Sequence, residues 1–336
     1  MMHVSAPLLI TGGAGYIGAH LAWAAHDRGI KPIILDDMSN GDARFLPPSA
    51  DLIIGDVADA VLVSEIVRTR NIRSAVHMAG VISVPESVAE PAKYWRINTA
   101  KALTFFEAAQ AAGIAQFVFS STAAVYAPDA VMPVAEGGKV APLSPYGRSK
   151  LASEQILMDL CAATGARAAV LRYFNVAGAD PAGRCGQTTL NATHLIKVAC
   201  ETALGKRAAL PVFGTDYPTP DGSGVRDFIH VADLASAHLA ALDHLDAGGA
   251  TFLANCGYGR GVSVLEAAAA VGRAAGRKLP LDIQPRRPGD LGAVVADCSH
   301  ITGLIDWVPR YADIDVITAS ALAWEKKLRA GLAAAG

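Results

Sequence analysis

Cysteine is sparse in this chain and nowhere clustered. Cys161, Cys185, Cys200, Cys256 and Cys298 are scattered without a C-x-x-C pair, a pattern that gives neither a disulfide framework nor the ligand spacing of a zinc site. Long hydrophobic runs are missing as well, since no apolar stretch approaches the ~18–20 residues of a membrane-spanning helix. The opening Met-Met-His-Val-Ser-Ala-Pro has no basic leader, so a secretory signal is not expected. Positive charge is not in excess. Lys and Arg number 29 against 31 Asp and Glu, a net charge of −2, and they are dispersed rather than gathered into the basic stripe of a nucleic-acid surface. No internal repeat or low-complexity tract stands out, although the Ala-rich tail Leu328–Gly336 is expected to fray. These absences lead to the expectation of a soluble, cytoplasmic protein in a reducing compartment. No metal site and no nucleic-acid or membrane partner are expected, and any anionic ligand must meet local cations.

What the chain does have is regular alternation. At 336 residues it can bury a substantial core. Pro7–Thr11 reads as a buried strand, Gly15–Arg28 as a helix and Pro32–Leu35 as a second strand. The pattern repeats in Leu52–Ile54, a helix around Ala58–Arg70, Ser74–His77, a long helix near Ala92–Ala112 and Gln116–Ser120, then a helix at Tyr146–Thr164 and the strand Ala168–Leu171. Repeated β-α units predict a parallel sheet covered by helices on both faces. From about Asn175 the texture changes to Gly, Pro, Asp and Thr, most densely between Gly214 and Gly224. A second, smaller lobe built from long connections is expected there, with some later segments returning to the main sheet.

Thr11-Gly12-Gly13-Ala14-Gly15-Tyr16-Ile17-Gly18 lies between the first strand and the first helix. Glycines at that junction permit a tight turn and close backbone approach, and the helix start can receive a pyrophosphate. Asp36 follows Gly18 by 18 residues, at the end of the second strand. Its carboxylate suits a ribose and repels a 2′-phosphate, which favours NAD over NADP. Asp56-Val57 after the third strand can hold an adenine, and Ala79-Gly80 after the fourth can let a cofactor lie against the backbone; simple strand-end turns explain both pairs equally well.

Tyr146 and Lys150 are four residues apart at the start of a helix, so both can project from one face. A nearby cation favours the phenolate and brings a tyrosine toward the range of a working base. Taken alone, the pattern fits a solvated helix face as well as an alcohol-oxidising site. Thr122, near the end of the fifth strand in Ser120-Ser121-Thr122-Ala123-Ala124-Val125-Tyr126, adds a hydroxyl at the carboxyl edge where open α/β sheets place ligands.

Together with Leu-Arg-Tyr-Phe174-Asn175, Phe-Gly-Thr-Asp-Tyr-Pro-Thr-Pro-Asp-Gly and Val-Arg226-Asp-Phe-Ile-His-Val, these phrases resemble the extended short-chain dehydrogenase/reductase superfamily, most closely its UDP-glucose (UDP-galactose) 4-epimerases, over nearly the whole chain. The resemblance implies a Rossmann-like NAD-binding domain over residues 1–176. Residues 177–336 are then mainly a nucleotide-sugar domain with an α/β build, some segments returning to the main sheet. Tyr146 is implied as base and later acid, with Lys150 on the nicotinamide ribose and Thr122 on the reacting oxygen. Gly12, Gly15, Tyr16, Ile17, Gly18, Asp36, Asp37, Asn40, Asp56, Val57, Met78, Ala79, Gly80, Asn98 and Phe174 fall at cofactor positions. For Asn98, a buried side chain bonded to a kinked helix is the competing explanation, and for Phe174 it is core packing. Asn175, His194, Leu195, Pro211, Val212, Phe213, Arg226, Arg287, Asp290 and Val294 fall at positions for the diphosphate, sugar, uracil or ribose of a UDP-sugar.

Relatives that eliminate water or lose carbon dioxide carry Asp or Glu just after the Ser/Thr, where this chain has Ala123 and Ala124. The implied reaction is therefore oxidation at carbon 4 by tightly bound NAD, a 4-keto sugar, and return of the same hydride to the other face. UDP-galactose/UDP-glucose is the default pair. Ile82 stands where many relatives have Lys, and Val294 where they have Tyr or Cys. The smaller Val294 leaves a UDP-GlcNAc/UDP-GalNAc pair open, and a UDP-xylose/UDP-arabinose pair is a further alternative; a non-catalytic NAD-binding regulator is the remote one. Homodimerisation through the two long helices is also implied.

Overall fold

The computed structural model describes residues 6–189, 192–287 and 289–334. β1 (Leu8–Thr11) and β2 (Pro32–Asp36) are buried along their whole length, as parallel strands covered on both faces must be. Between them runs α1 (Tyr16–Asp27), and β3 (Asp51–Ile54) follows. Asp59 starts α2 (Ala60–Thr69) by accepting from the Val61 and Leu62 N–H groups at 3.1 and 3.0 Å. β4 (Ser74–His77) leads to α3 (Val84–Ala89) and α4 (Pro91–Tyr94), which passes through a wider π turn, Trp95–Ala100, into α5 (Lys101–Ala112). β5 (Gln116–Thr122) is followed by α6 (Pro145–Thr164) and β6 (Arg167–Tyr173). Local chemistry fixes both ends of α6: the Ser144 hydroxyl accepts from the Gly147 N–H (3.1 Å), Pro145 opens the first turn, and Gly165 closes the last one at φ 76°.

The remaining chain forms β7 (Asn175–Ala177), α7 (Leu195–Ala203), β8 (Leu210–Phe213), β9 (Val225–His230), α8 (Val231–Asp246) and β10 (Phe252–Cys256). After these come β11 (Gly261–Ser263), α9 (Val264–Ala275), β12 (Leu281–Gln284), β13 (Ala293–Val294), α10 (Ser299–Leu304) and α11 (Ile314–Ala334). This stretch is richer in helix than its Gly/Pro texture suggests. The Ala-rich tail continues α11 as far as Ala334 rather than fraying from Leu328, in keeping with the high helix propensity of alanine.

The main sheet has seven parallel strands in the order β10-β6-β5-β4-β1-β2-β3. One face carries α1 and α8 over Leu21, Ile34, Val118, Leu171, Leu234 and Leu245. The opposite face carries α2, α5 and α6 over Leu9, Ile33, Val67, Phe105, Phe117 and Leu157. β11, β9 and β13 form a second sheet, with β7 also pairing to β9, and β12 pairs with β8. A separate core under these strands includes Ile196, Leu210, Phe228, Val271 and Ile317.

Two departures from the sequence expectation bear on the site. β5 runs on past Ser120 to Thr122, so the threonine is held by sheet pairing with Tyr173 rather than by a loop. The long helix expected at 92–112 is interrupted by the π turn around Asn98. There the Ser153 hydroxyl donates to the Asn98 carbonyl at 2.6 Å, which compensates a carbonyl in the widened turn.

Phe106 is fully buried and meets Phe117 and Phe119 edge-on, with centroids 5.7 and 5.9 Å apart. Phe106→Ala is expected to lower stability by about 3–5 kcal/mol in urea unfolding; a loss below about 1 kcal/mol would contradict this packing.

Candidate active site

The turn from β1 to α1 is built by close backbone approach. Gly12 has φ +66°, and a Cβ there would stand 2.8 Å from the Ala79 backbone; a Cβ at Gly18 would lie 2.3 Å from the Gly12 carbonyl oxygen. Only glycine fits these positions. Gly15 precedes α1 and provides no side-chain cap, which leaves the first-turn N–H groups, including those of Tyr16, Ile17 and Gly18, suited to an anion. The Tyr16 side chain points elsewhere: its hydroxyl donates to the Gly178 carbonyl at 2.7 Å. Asp36 is buried at the end of β2 and accepts from the Ala14 and Met38 N–H groups, both at 2.9 Å. Burial pushes its carboxyl up, against these two bonds, while spare lone pairs can still accept from a ribose. The chain therefore fits a dinucleotide on an observed cradle and an observed acid.

Asp37 and Asn40 lie exposed on the following loop, where Asp37 accepts from the Ser39 N–H and hydroxyl at 2.9 and 2.6 Å. Asp56 is ion-paired with Lys101 and accepts from the Ala58 N–H (2.9 Å), which makes its turn-forming role explicit; Val57 beside it is buried. Met78, Ala79 and Gly80 leave β4 against the Gly12 turn. Asn98 clamps the next residue of that loop. Its Oδ1 accepts from the Val81 N–H and its Nδ2 donates to the Val81 carbonyl, each at 2.9 Å, and to the Ser149 hydroxyl at 3.1 Å. Bonding around a deformed helix is thus what this asparagine visibly does.

The first turns of α6 carry Tyr146 and Lys150, 8% and 4% exposed. Thr122 closes β5, where its hydroxyl accepts from the Ala124 N–H at 3.1 Å. Burial pushes the Tyr146 phenol up, and the facing Thr122 hydroxyl acts in the opposite direction. Lys150 is pushed down to about 8 by burial, with Glu154 opposing that fall. The expected depression of the tyrosine by Lys150 is therefore not the balance that the chain sets by itself. The ammonium lies 4.6 Å from the centroid of Phe119, and it helps to hold His77, mainly lowered by burial, at about 3. Tyr94 meets the Tyr146 ring edge-on at 6.3 Å. Phe174, next to Tyr173, packs against the small cluster of Val125, Tyr126 and Val134.

Behind these groups lies a buried polar network that the motifs do not reveal. Arg172 donates to both Glu154 oxygens, from Nε at 2.9 Å and from Nη2 at 2.6 Å, and Ser121 donates to the same carboxylate. Arg172 also reaches the Tyr126 hydroxyl (3.3 Å), which donates to Asn255 Oδ1 at 2.7 Å. Arg172, directly after the apolar run Ala168–Leu171 in β6, was the available signal, because a buried charge requires a partner.

A second group of predicted residues gathers around β8, β9 and β13. Val294 pairs with Arg226 in register, and Asn175 on β7 pairs with Phe228 two residues further along β9. Pro211, Val212 and Phe213 form most of β8; the Arg287 guanidinium lies 4.5 Å from the Phe213 centroid and donates to Asp290 at 2.8 Å. Arg226 is half-buried and donates to the Val225 carbonyl at 2.8 Å, without a salt-bridge partner among the described residues. Burial pushes its guanidinium down, only partly opposed by Asp290. A partly desolvated guanidinium without a salt bridge has donors that can receive an anion. His194 precedes α7 and Leu195 begins it; the imidazole, pushed down by burial, is 2.9 Å from Gln187 Nε2, and no bond joins it to the Arg226 group among the described residues. Among the described residues no His/Cys/Asp/Glu group could hold a metal, and no helix is long and apolar enough to cross a membrane.

Lys150 lies below the ordinary 10.5 when folded, so its burial penalty is fully present below about pH 8 and fades as pH rises toward 10.5. Lys150→Met is accordingly expected to stabilise the nucleotide-free chain by about 3 kcal/mol at pH 7, an advantage that shrinks at alkaline pH. Urea unfolding at the two pH values checks this; equal stability of both chains at pH 7 would contradict it.

The NAD dependent epimerase/dehydratase family model matches residues 8–257. A UDP-glucose 4-epimerase of Azospirillum brasilense is 49% identical over 329 residues, covering 98% of this chain and 94% of the relative. Another, from Rhizobium meliloti (strain 1021), is 42% identical over 325 residues, 96% and 98% of the two chains. The crystal structure of UDP-glucose 4-epimerase from Brucella ovis in complex with NAD matches with a TM-score of 0.92 at 37% identity, covering 95% of this chain and 98% of that one. The architecture is thus the Rossmann-like α/β fold of these enzymes, carried through both halves of the molecule. By sequence, by sheet order and by the build of its glycine turn, the chain belongs to the NAD dependent epimerase/dehydratase family.

Proposed function

We propose that the protein is an NAD-dependent enzyme that interconverts UDP-galactose and UDP-glucose by epimerisation at carbon 4. The observation that carries this reading is a buried Tyr146 facing Thr122 at the end of β5, with Ala123 and Ala124 following in place of a carboxylate. Such a site can move one proton at a sugar hydroxyl but has no further acid or base at that position for elimination. The relatives named UDP-glucose 4-epimerase support the hexose pair over the N-acetylhexosamine and pentose pairs.

When bound, NAD supplies the acceptor and donor of a hydride at carbon 4. Its pyrophosphate falls to the Gly12–Gly18 turn and the start of α1, and its adenosine ribose to Asp36. Tyr146 takes the proton of the 4-hydroxyl and returns it to the 4-keto sugar after the sugar has turned its other face. Thr122 bonds the reacting oxygen throughout. Lys150 bonds the nicotinamide ribose and provides the local positive charge that Ile82 does not. Arg226 and Arg287 take the diphosphate, with Phe213 and Asp290 alongside. Asn175, His194, Leu195, Pro211, Val212 and Val294 line the remaining nucleotide-sugar surface. In this reading residues 1–176 serve mainly the cofactor and 177–336 mainly the substrate. The protein works in the cytoplasm as a homodimer joined through the long helices; Trp95 and Leu103, 41% and 39% exposed, are apolar groups on one of them that a partner would cover.

Purified protein is expected to convert UDP-galactose to UDP-glucose without added NAD; absence of turnover on any UDP-sugar would remove the proposal. Tyr146→Phe should abolish turnover while retaining bound NAD, read from absorbance after denaturation. Normal turnover in that variant would exclude Tyr146 as the base. Sedimentation velocity should give the mass of two chains.

A further inference from the structure

Tyr217 lies in the loop between β8 and β9, 7% exposed, and its buried hydroxyl has no hydrogen-bond partner among the described residues. The ring itself is tightly placed. The Arg286 guanidinium stands 4.1 Å from its centroid. Gly214 and Gly292 pass so close that added Cβ atoms would come 2.7 and 3.3 Å from ring carbons. The Tyr217 N–H donates to the Gly222 carbonyl at 2.9 Å, and its carbonyl accepts from Thr219 at 2.8 Å. For packing alone a phenylalanine would serve better, because an enclosed hydroxyl without a partner costs stability.

The neighbouring cation has the complementary deficiency. Arg226 lacks a salt-bridge partner among the described residues, and Gly292 links it to Tyr217: Gly292 lies against the Tyr217 ring, and its carbonyl accepts from the N–H of Val225, the neighbour of Arg226, at 2.8 Å. We infer that Tyr217 is a phosphate-binding residue, whose hydroxyl donates to a diphosphate oxygen of the nucleotide sugar held by Arg226. This inference rests on the nucleotide-sugar reading above. A donor without a partner and a guanidinium without a salt bridge, both among the described residues, would be satisfied by one anion. The cover over the ring is light: Arg286 and its partner Asp216 have side chains 43% and 73% exposed.

The test is calorimetric titration of UDP and of uridine into the NAD-loaded wild type and Tyr217→Phe. Expected are UDP binding weaker by about tenfold in the variant, unchanged uridine binding, and a free-protein melting temperature equal to or above that of the wild type. The KM for UDP-galactose should rise in parallel with kcat unaltered. Unchanged UDP affinity would overturn the inference, and so would an equal loss with uridine, which would place the contact on the nucleoside. A lower melting temperature of the free variant would mean that the hydroxyl serves the fold instead. Failure of the wild type to bind UDP would remove the nucleotide-sugar reading itself, and this inference with it.

Discussion

The bidentate bond between Arg172 and Glu154 underlies the arrangement of Thr122, Tyr146 and Lys150. It joins β6 to α6, and the Ser121 hydroxyl brings β5 to the same carboxylate. Thr122 is the next residue after Ser121, and Lys150 lies one turn before Glu154 on the same helix face. Both residues of the ion pair are almost wholly buried, where removing one partner leaves an uncompensated charge. The pair thus adds little net attraction beyond its desolvation cost, but few alternative positions of strand and helix would satisfy it. The chain from Arg172 through Tyr126 to Asn255 extends this requirement to β10.

Lys150 and Arg226 stand outside this economy of matched charges. Lys150 is desolvated against Phe119 with Glu154 already engaged by Arg172, and Arg226 is desolvated beside an aspartate that Arg287 occupies. One is near Tyr146 on α6 and the other on β9, so uncompensated positive charge is found in both halves of the chain. With a net charge of only −2 spread over the chain, attraction for a dinucleotide and a nucleotide sugar has to come from such local departures from neutrality.

Much of this was readable where cause is local. The Gly12–Gly18 turn, Asp36 at a strand end, and Ser144-Pro145 before Tyr146 depend on neighbours along the chain, and their elements form where periodicity and capping place them. Glu154 escaped notice because its partner, Arg172, is on a strand distant in sequence rather than on its own helix. The π turn at Asn98 depends on bonds from Ser153 and to Val81 that no helix pattern predicts. For Tyr146, spacing puts a cation four residues away, but only the packed interior reveals that burial dominates, opposed by the Thr122 hydroxyl. The helices after Asn175 were hidden by a Gly- and Pro-rich texture that belongs to the loops between them.

β10 returns from the second half of the chain to pair with β6 at the border of the main sheet, and α8 covers one face beside α1. A ribosome must therefore release α8 and β10, far beyond Tyr146 and Lys150, before the main sheet is closed on that side. Until then Ala169–Tyr173 presents an unpaired and largely apolar strand edge, the kind of surface on which nascent chains associate. Completion of the main sheet is thus a late event in synthesis, because it waits for a strand from the far half of the chain.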